Sequence, residues 1–328
     1  MSQIAGKRAV ILLILFLAGT AAIFLVSVFA APKMINPFTV DPVEKDIIYS
    51  IRLPRVIISM LMGMALGASG AVLQGMLRNP LADPYILGIS SGASLAATLG
   101  LLPGVYFLGG LTIPAAAFIG ASVVSIIVGI SGWKEGRLWP ERLLLAGVGL
   151  SFLFHAILMF LISISTNEGL RRTVFWMFGD LSIADWPLIP YGSVFIGAGL
   201  WIACSRARAL NALMLGDELA HSLGFSVRRE RLLLFISIAL MTAASVSLGG
   251  IIGFIGLLVP HITRFITGAD NRVLIPTSAI AGGAFLCLAD LIGRSILLPS
   301  EIPSGIITAL IGSPYFLYLL RRKDVLSV

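Results

Sequence analysis

The sequence predicts an all-α polytopic membrane protein of about ten transmembrane helices, built as a single domain over residues 1–328. Three observations predict it. Of 328 residues, 58% are hydrophobic and only 12% are Asp, Glu, Lys or Arg, where a soluble domain averages about 25% charged residues. So few charges cannot coat a soluble body of this length. The charges that exist are also clustered, leaving long uncharged stretches between them. The 35 glycines follow no Gly-X-Y period, and the high apolar content excludes a disordered chain.

The uncharged stretches define the spans in order. They are Ala9–Pro32, Val56–Leu77, Pro84–Trp133, Leu143–Asn167, Trp186–Ser205, Leu232–Thr263, Val273–Ala289 and Ile302–Leu320. A crossing needs about 20 apolar residues, so six of them supply one span each. Pro84–Trp133 must hold two, with its break at Leu102-Pro103-Gly104 and Gly109-Gly110. Leu232–Thr263 is long for one span and short for two. Lys7-Arg8 before the first span and Arg321-Arg322-Lys323 after the last place both termini on the cytoplasmic side. The number of crossings is then even, and this stretch contributes two, one of them abbreviated around Gly249–Gly256. Irregular backbone at that depth requires surrounding protein or a wet cavity.

This topology divides the 23 bases 16 inside to 7 outside, as the positive-inside rule requires. It accounts for much of the +7 net charge without nucleic-acid binding, for which no basic stripe with interleaved aromatics exists. The N-terminal apolar run exceeds the 7–15 residues usual for a cleavable leader and is expected to remain as the first span. Cys204 and Cys287 lie in apolar segments and are expected to pack, with neither a disulfide nor a metal between them.

No Walker A loop, HExxH, GxSxG or cysteine cluster occurs, so motif-borne enzyme classes lose support, and no catalytic residue, cofactor or metal site is expected. Ion-coupled carriers usually bury an acid in mid-span. Here each acid is expected in a loop or at a span end, with Asp290 the nearest case. A carrier lacking both devices must draw energy from a partner protein. Gly63, Gly67 and Gly70 form a small-residue stripe on the second span, suited to close packing within the chain or to a dimer seam.

Three motifs carry chemistry. Arg52-Leu53-Pro54-Arg55 places two bases at the outer mouth of the second span, suited to pairing with carboxylates or to anchoring in headgroups. Ser69–Gln74 and Arg78–Pro84 follow it. The loop at about 210–231 contains Leu215-Gly216-Asp217-Glu218-Leu219-Ala220-His221-Ser222-Leu223-Gly224 between basic flanks, which reads as a short amphipathic helix ended by glycine. The third group is Gly253–Arg264, then Leu288-Ala289-Asp290 with Arg294, then Gly312–Leu317.

Together these segments resemble the FecCD-type permeases, membrane subunits of ATP-binding-cassette importers for ferric siderophores, haem and cobalamin. The resemblance runs from about Arg52 to Arg322, and it implies the cobalamin-permease-like importer fold. It further implies a bacterial or archaeal inner-membrane permease without its own ATPase, moving a ferric siderophore or related metal chelate. Import of cobalamin or haem by the same architecture is the alternative, and an ion-coupled secondary transporter is a remote one. The implied partners are two copies of a cytoplasmic ABC ATPase, one extracytoplasmic substrate-binding protein and a second permease copy, most simply as a homodimer. By resemblance, Arg52, Arg55 and Arg294 receive acidic residues of the binding protein. Leu215, Gly216, Asp217, Glu218, Ala220, Leu223 and Gly224 form the element that couples to the ATPase. The fifth span lines the path, where Ser151, His155 and Met159 share one face at four-residue spacing. A lone mid-span histidine such as His155 is either a transient ligand or a hydrogen-bonded packing residue. Trp139–Arg142 matches the family's inner gate region, though Pro140 and Glu141 depart from the small hydroxyl residues some members carry.

Overall fold

The computed structural model describes residues 2–30, 34–36, 39–104, 107–165 and 167–321. Arg322 and Lys323, used above to orient the chain, lie outside these, as does Lys33. The helices run α1 (Ser2–Phe29), α2 (Pro42–Ile47), α3 (Leu53–Leu77), α4 (Ile89–Leu101), α5 (Thr112–Gly132), α6 (Pro140–Ser163) and α7 (Asn167–Met177). They continue with α8 (Leu188–Ser205), α9 (Ala207–Leu215), α10 (Asp217–Ser222), α11 (Val227–Gly249), α12 (Ile255–Thr267), α13 (Asn271–Ile296) and α14 (Ser304–Arg321). Seven of these segments are long and apolar enough to cross a membrane, and α4, α12 and α14 are shorter apolar helices. The ten apolar helices match the ten expected spans, including the break after Leu101 and the abbreviated α12.

The organising element is α3, buried along most of its length. Glycine makes this possible. A Cβ at Gly63 would collide with the Gly282 carbonyl of α13, one at Gly67 with the Ser278 carbonyl, and one at Gly70 with the Gly256 carbonyl of α12. Backbone meets backbone along this seam, the close approach that small residues permit between membrane helices. The stripe is therefore intrachain packing, the first of the two uses expected of it. Contacts that descend along α13 as they ascend α3 make the pair antiparallel, so both ends of the bundle can be followed from α3.

Between α11 and α12 the chain leaves helical geometry over 250–254. Gly250 and Phe254 both take left-handed backbone (φ 80° and 69°), and a Cβ on Gly250 would strike the Trp176 carbonyl. Freed polar groups find protein partners: Tyr85 Oη accepts from the Ile252 amide at 3.3 Å, and Gln74 Nε2 donates to the carbonyls of Gly256 and Leu257. This satisfies the requirement that irregular backbone be enclosed.

Two elements were not anticipated. Residues 133–138 form a hairpin, β1 (Trp133–Lys134) and β2 (Arg137–Leu138), with Trp133 opposite Leu138. Its two turn residues, Glu135 and Gly136, both have positive φ, the conformation of a tight two-residue turn. The segment after α6, read as a loop, contains the amphipathic α7, which buries Thr173 and Trp176. Cys287 is buried, its thiol donating to Ser27 Oγ at 3.1 Å. Cys204 is exposed, correcting its expected packing role, because it lies on the outer face of α8 near the helix end.

Candidate functional site

Two clusters of charge cap the ends of α3. Arg55, in its first turn, and Arg78, just past its last, are separated by about 35 Å at 1.5 Å per residue, comparable to a bilayer's hydrocarbon thickness of ~30 Å.

At the Arg55 end, one carboxylate gathers several donors. Arg55 Nε lies 3.1 Å from both Asp290 oxygens, and its Nη2 lies 2.9 Å from Oδ1. Ser304 Oγ donates to the same Oδ1 at 3.1 Å, and Arg294 Nε stands 3.6 Å from Oδ2. Arg294 also donates to the Ser27 carbonyl, and Arg52 Nη1 to the Val28 carbonyl at 3.0 Å. The cluster thus ties α1, α3, α13 and α14 together. Arg55 Nη1 reaches outward to Glu301 at 2.7 Å, whose side chain is 43% exposed.

This arrangement departs from the sequence expectation in two ways. Arg52, Arg55 and Arg294 are buried, at 4%, 8% and 3% exposure, rather than displayed. The cause is helical continuity: α2, a π-helical turn (Ile48–Arg52) and α3 form one uninterrupted rod. Arg52 and Arg55 therefore lie one turn apart, turned toward α1 and α13. Asp290 lies toward the end of α13, beside the first turn of α3, but is buried rather than facing solvent. A lone acid there would be prohibitive, and its two arginine partners compensate it.

At the Arg78 end, Asp217 is the hub. Arg231 Nη2 donates to its Oδ1 at 2.7 Å, Arg78 Nη2 to the same oxygen at 3.3 Å, and Arg137 Nη1 stands 3.7 Å from Oδ2. Arg78 also caps the α9 terminus by donating to the Leu213 carbonyl at 2.6 Å, and Arg231 fixes the hairpin through the Leu138 carbonyl at 3.1 Å. From the other side, Asn211 Nδ2 donates to Asp270 at 2.7 Å and its Oδ1 accepts from Asn271. The α9–α10 element is therefore clamped to α3, the hairpin, α11 and the α12–α13 turn. Hydrogen bonds from Arg272 hold the Asp270 carboxyl down at about 2. Arg78, Arg137, Arg206, Arg231 and Arg272, all assigned to inner loops, meet at this end. Arg52, Arg55 and Arg294, assigned outside, meet at the other.

Of the residues expected to couple, Leu215, Glu218, Leu223 and Gly224 are exposed. Asp217 and Ala220 face inward, and Ala220 is fully buried. Gly216 provides the corner between α9 and α10 with φ 135°. Leu219, missed in the sequence reading, joins Leu215 and Leu223 in an exposed apolar ridge. Its signal was the four-residue spacing from Leu219 to Leu223, whereas Leu215 lies before the Gly216 corner. The anchors Arg78, Arg137 and Arg231 were also missed as a set, because nothing in the sequence joins them to Asp217.

On α6, Ser151 donates to its own helix at the Gly147 carbonyl, while His155 and Met159 are exposed. Much of α6 is uncovered by the chain, with Leu145 and Phe152 each 75% exposed. His261 is buried, edge-on to Phe265 at 4.9 Å. Among the described residues no three His, Cys, Asp or Glu side chains are grouped to hold a metal ion.

The chain as a whole is similar to known proteins. The chain is 41% identical over 90% of its length to a cobalamin import system permease protein of Halobacterium salinarum, covering 78% of that protein. It is 42% identical over 84% of its length to a hemin transport system permease protein of Yersinia pestis, covering 83% of that one. A solved metal-chelate type ABC transporter in an inward-facing conformation matches with a TM-score of 0.86 at 31% identity, over 94% of this chain and 98% of that one. The model of the FecCD transport family matches residues 10–322, and with a multi-pass helical bundle and that span of similarity the chain belongs to the FecCD transport family.

Proposed function

We propose that the chain is the permease subunit of an ABC importer that carries a ferric siderophore or related metal chelate inward, with a separate ATPase as its energy source. The observation that carries this reading is the α9–α10 element: a clamped corner that leaves Leu215, Leu219 and Leu223 exposed. Exposed apolar side chains on an element tied by a solvent-open charge cluster are suited to pass motion from a docked ATPase into α3 and α11. Two permease copies, related by symmetry, would place the uncovered α6 faces with Ser151, His155 and Met159 along a shared path. Alternating access follows if ATP binding shifts the population between outward- and inward-open pairs. Both termini and the ridge lie on the cytoplasmic side in this arrangement, and two ATPase copies dock there.

At the opposite end the binding protein docks over Arg52, Arg55 and Arg294. Their burial gives this docking a definite form. Glu301 holds the outward nitrogen of Arg55, and a carboxylate from the partner competes with it for the same guanidinium. Relatives that carry hemin, cobalamin and hydroxamate names support the chelate class.

The test is uptake into vesicles containing the chain, with and without the partner ATPase. Uptake that requires ATP and the ATPase is expected, with a ferric hydroxamate, hemin and cobalamin compared as cargo. Uptake driven by an ion gradient in the absence of ATP would overturn the reading.

A further inference from the structure

A groove on the flank of the bundle belongs to neither charged cluster. It runs between α5 and α11 and encloses about 700 Å³. Ile126, Gly129 and Ile130 of α5 face Leu232, Ile236 and Ala239 of α11, each set on one helical face by its three- and four-residue spacing. The floor is the Phe235 ring, lying so close to Gly129 that a Cβ there would stand 3.0 Å from it. Ser125 also lines the groove, but its hydroxyl donates to the Ala121 carbonyl of its own helix at 2.8 Å. Ser122 adds a second hydroxyl to the lining, and the remaining walls present hydrocarbon.

Charge begins only at the mouth. Trp133 lines the end nearest the Asp217 cluster, and the Arg228 guanidinium stands 5.1 Å from the centre of its ring. Arg228 precedes Leu232 by four residues, so it continues the same face of α11. It is exposed, and among the described residues no carboxylate pairs with it. Its neighbours differ: Arg231 is taken by Asp217 and Arg206 by Glu230. The groove is thus apolar along its length and ends at an indole, the residue type that favours a membrane interface; Arg228 stands beyond that indole, lining a neighbouring pocket with Asp217 and Glu218.

We propose that this groove binds an anionic phospholipid, one acyl chain lying between α5 and α11 and the phosphate against Arg228. From Arg228 to Leu240 the helix rises about 18 Å, a length suited to a long acyl chain laid parallel to α11. Arginine forms charge-assisted hydrogen bonds with phosphate oxygens, while the cation–π contact holds the guanidinium against the Trp133 ring that ends the groove. The charge of the headgroup distinguishes this site from the lipid that coats any membrane helix.

The experiment is native mass spectrometry of the detergent-purified full chain with phosphatidylglycerol or phosphatidylcholine of identical acyl chains. Phosphatidylglycerol is expected to be retained roughly fivefold more, the scale for one arginine at an anionic surface. Arg228→Gln should remove that preference and leave phosphatidylcholine retention unchanged. Ala239→Phe, which fills the groove, should lower retention of both lipids, and Arg229→Gln should change neither. Equal retention of the two lipids by the unaltered chain, or a preference that survives Arg228→Gln, would overturn the proposal. So would efficient disulfide cross-linking between Ile236→Cys chains, since a second copy would then cover the groove. The readout is lipid retention and not transport, so it stands apart from the cargo reading.

Discussion

The two ends of α3 solve the same electrostatic problem in opposite ways. At one end Asp290, with 2% exposure, pairs with Arg55 and Arg294 inside the bundle, and Glu301 adds a second carboxylate to Arg55. At the other, Asp217 holds Arg78, Arg137 and Arg231 where the aspartate and two of the arginines still meet solvent. A buried cluster gains little net energy from its attraction, because desolvation offsets it, yet it is costly to break. An open cluster is screened, weak and easily re-formed. The first suits a fixed joint among α1, α3, α13 and α14, and the second suits a joint that can open and re-form.

The largest effect should come from the buried end. Asp290→Asn leaves two buried guanidiniums without their carboxylate, and a loss of about 3–5 kcal/mol is the scale for an uncompensated buried charge. Thermal unfolding in detergent measures it. Asp217→Asn, compared in the same assay, should cost about 1 kcal/mol or less. If the two variants melt alike, the contrast between a locked and a yielding joint fails.

Function should reverse that order. Asp217→Asn keeps the fold but frees α10 from Arg231 and Arg78, so ATP hydrolysis by the reconstituted complex should continue while uptake falls severalfold. Uptake that stays in proportion to hydrolysis would remove Asp217 from the coupling route.

Glu301 tests the outer end more finely. Its side chain is 43% exposed, so Glu301→Gln should change stability by less than about 1 kcal/mol. Releasing Arg55 Nη1 should tighten binding-protein association at low salt by a few-fold, an advantage that fades as salt screens it. Unchanged or weaker association would show that Glu301 is not a stand-in for a partner carboxylate.

The same contrast explains what could be read from the chain in advance. Ten apolar helices were legible because lipid and protein interior both exclude charge, so uncharged length alone marks a helix. The break at Leu102–Gly104 and the short α12 were legible from glycine and proline. Helix α7 was not, because Glu168, Arg171 and Arg172 make it look like loop. Only Thr173 and Trp176, three residues apart, hint at its buried face. The hairpin at Trp133–Leu138 escaped for its brevity, although Glu135-Gly136 is a plausible turn pair. The burial of Asp290 was not legible for a deeper reason. Its burial depends on Arg55, 235 positions away in sequence, and pattern within one segment cannot reveal such a partner. The same holds for Asp217 and Arg78, so both ends of α3 were visible as charges but not as clusters.

The smallest effect concerns Asp270, whose bond to Asn211 steadies the yielding end from behind. Hydrogen bonds from Arg272 come first in holding its carboxyl at about 2, below the ordinary 3.8, with Asn211 adding to them. A depressed carboxylate contributes stability that is complete above 3.8 and disappears as pH falls from there toward 2. Because the side chain is 35% exposed, solvent screening keeps the contribution below about 1 kcal/mol. Melting in detergent between pH 5 and pH 2.5 should therefore show a small excess loss in the unaltered chain relative to Asp270→Asn, which cannot titrate there. The two curves should be offset above pH 4 and converge below pH 3. Parallel curves throughout would mean that Asp270 bears no part of the clamp, leaving α9 fastened from the Asp217 side alone.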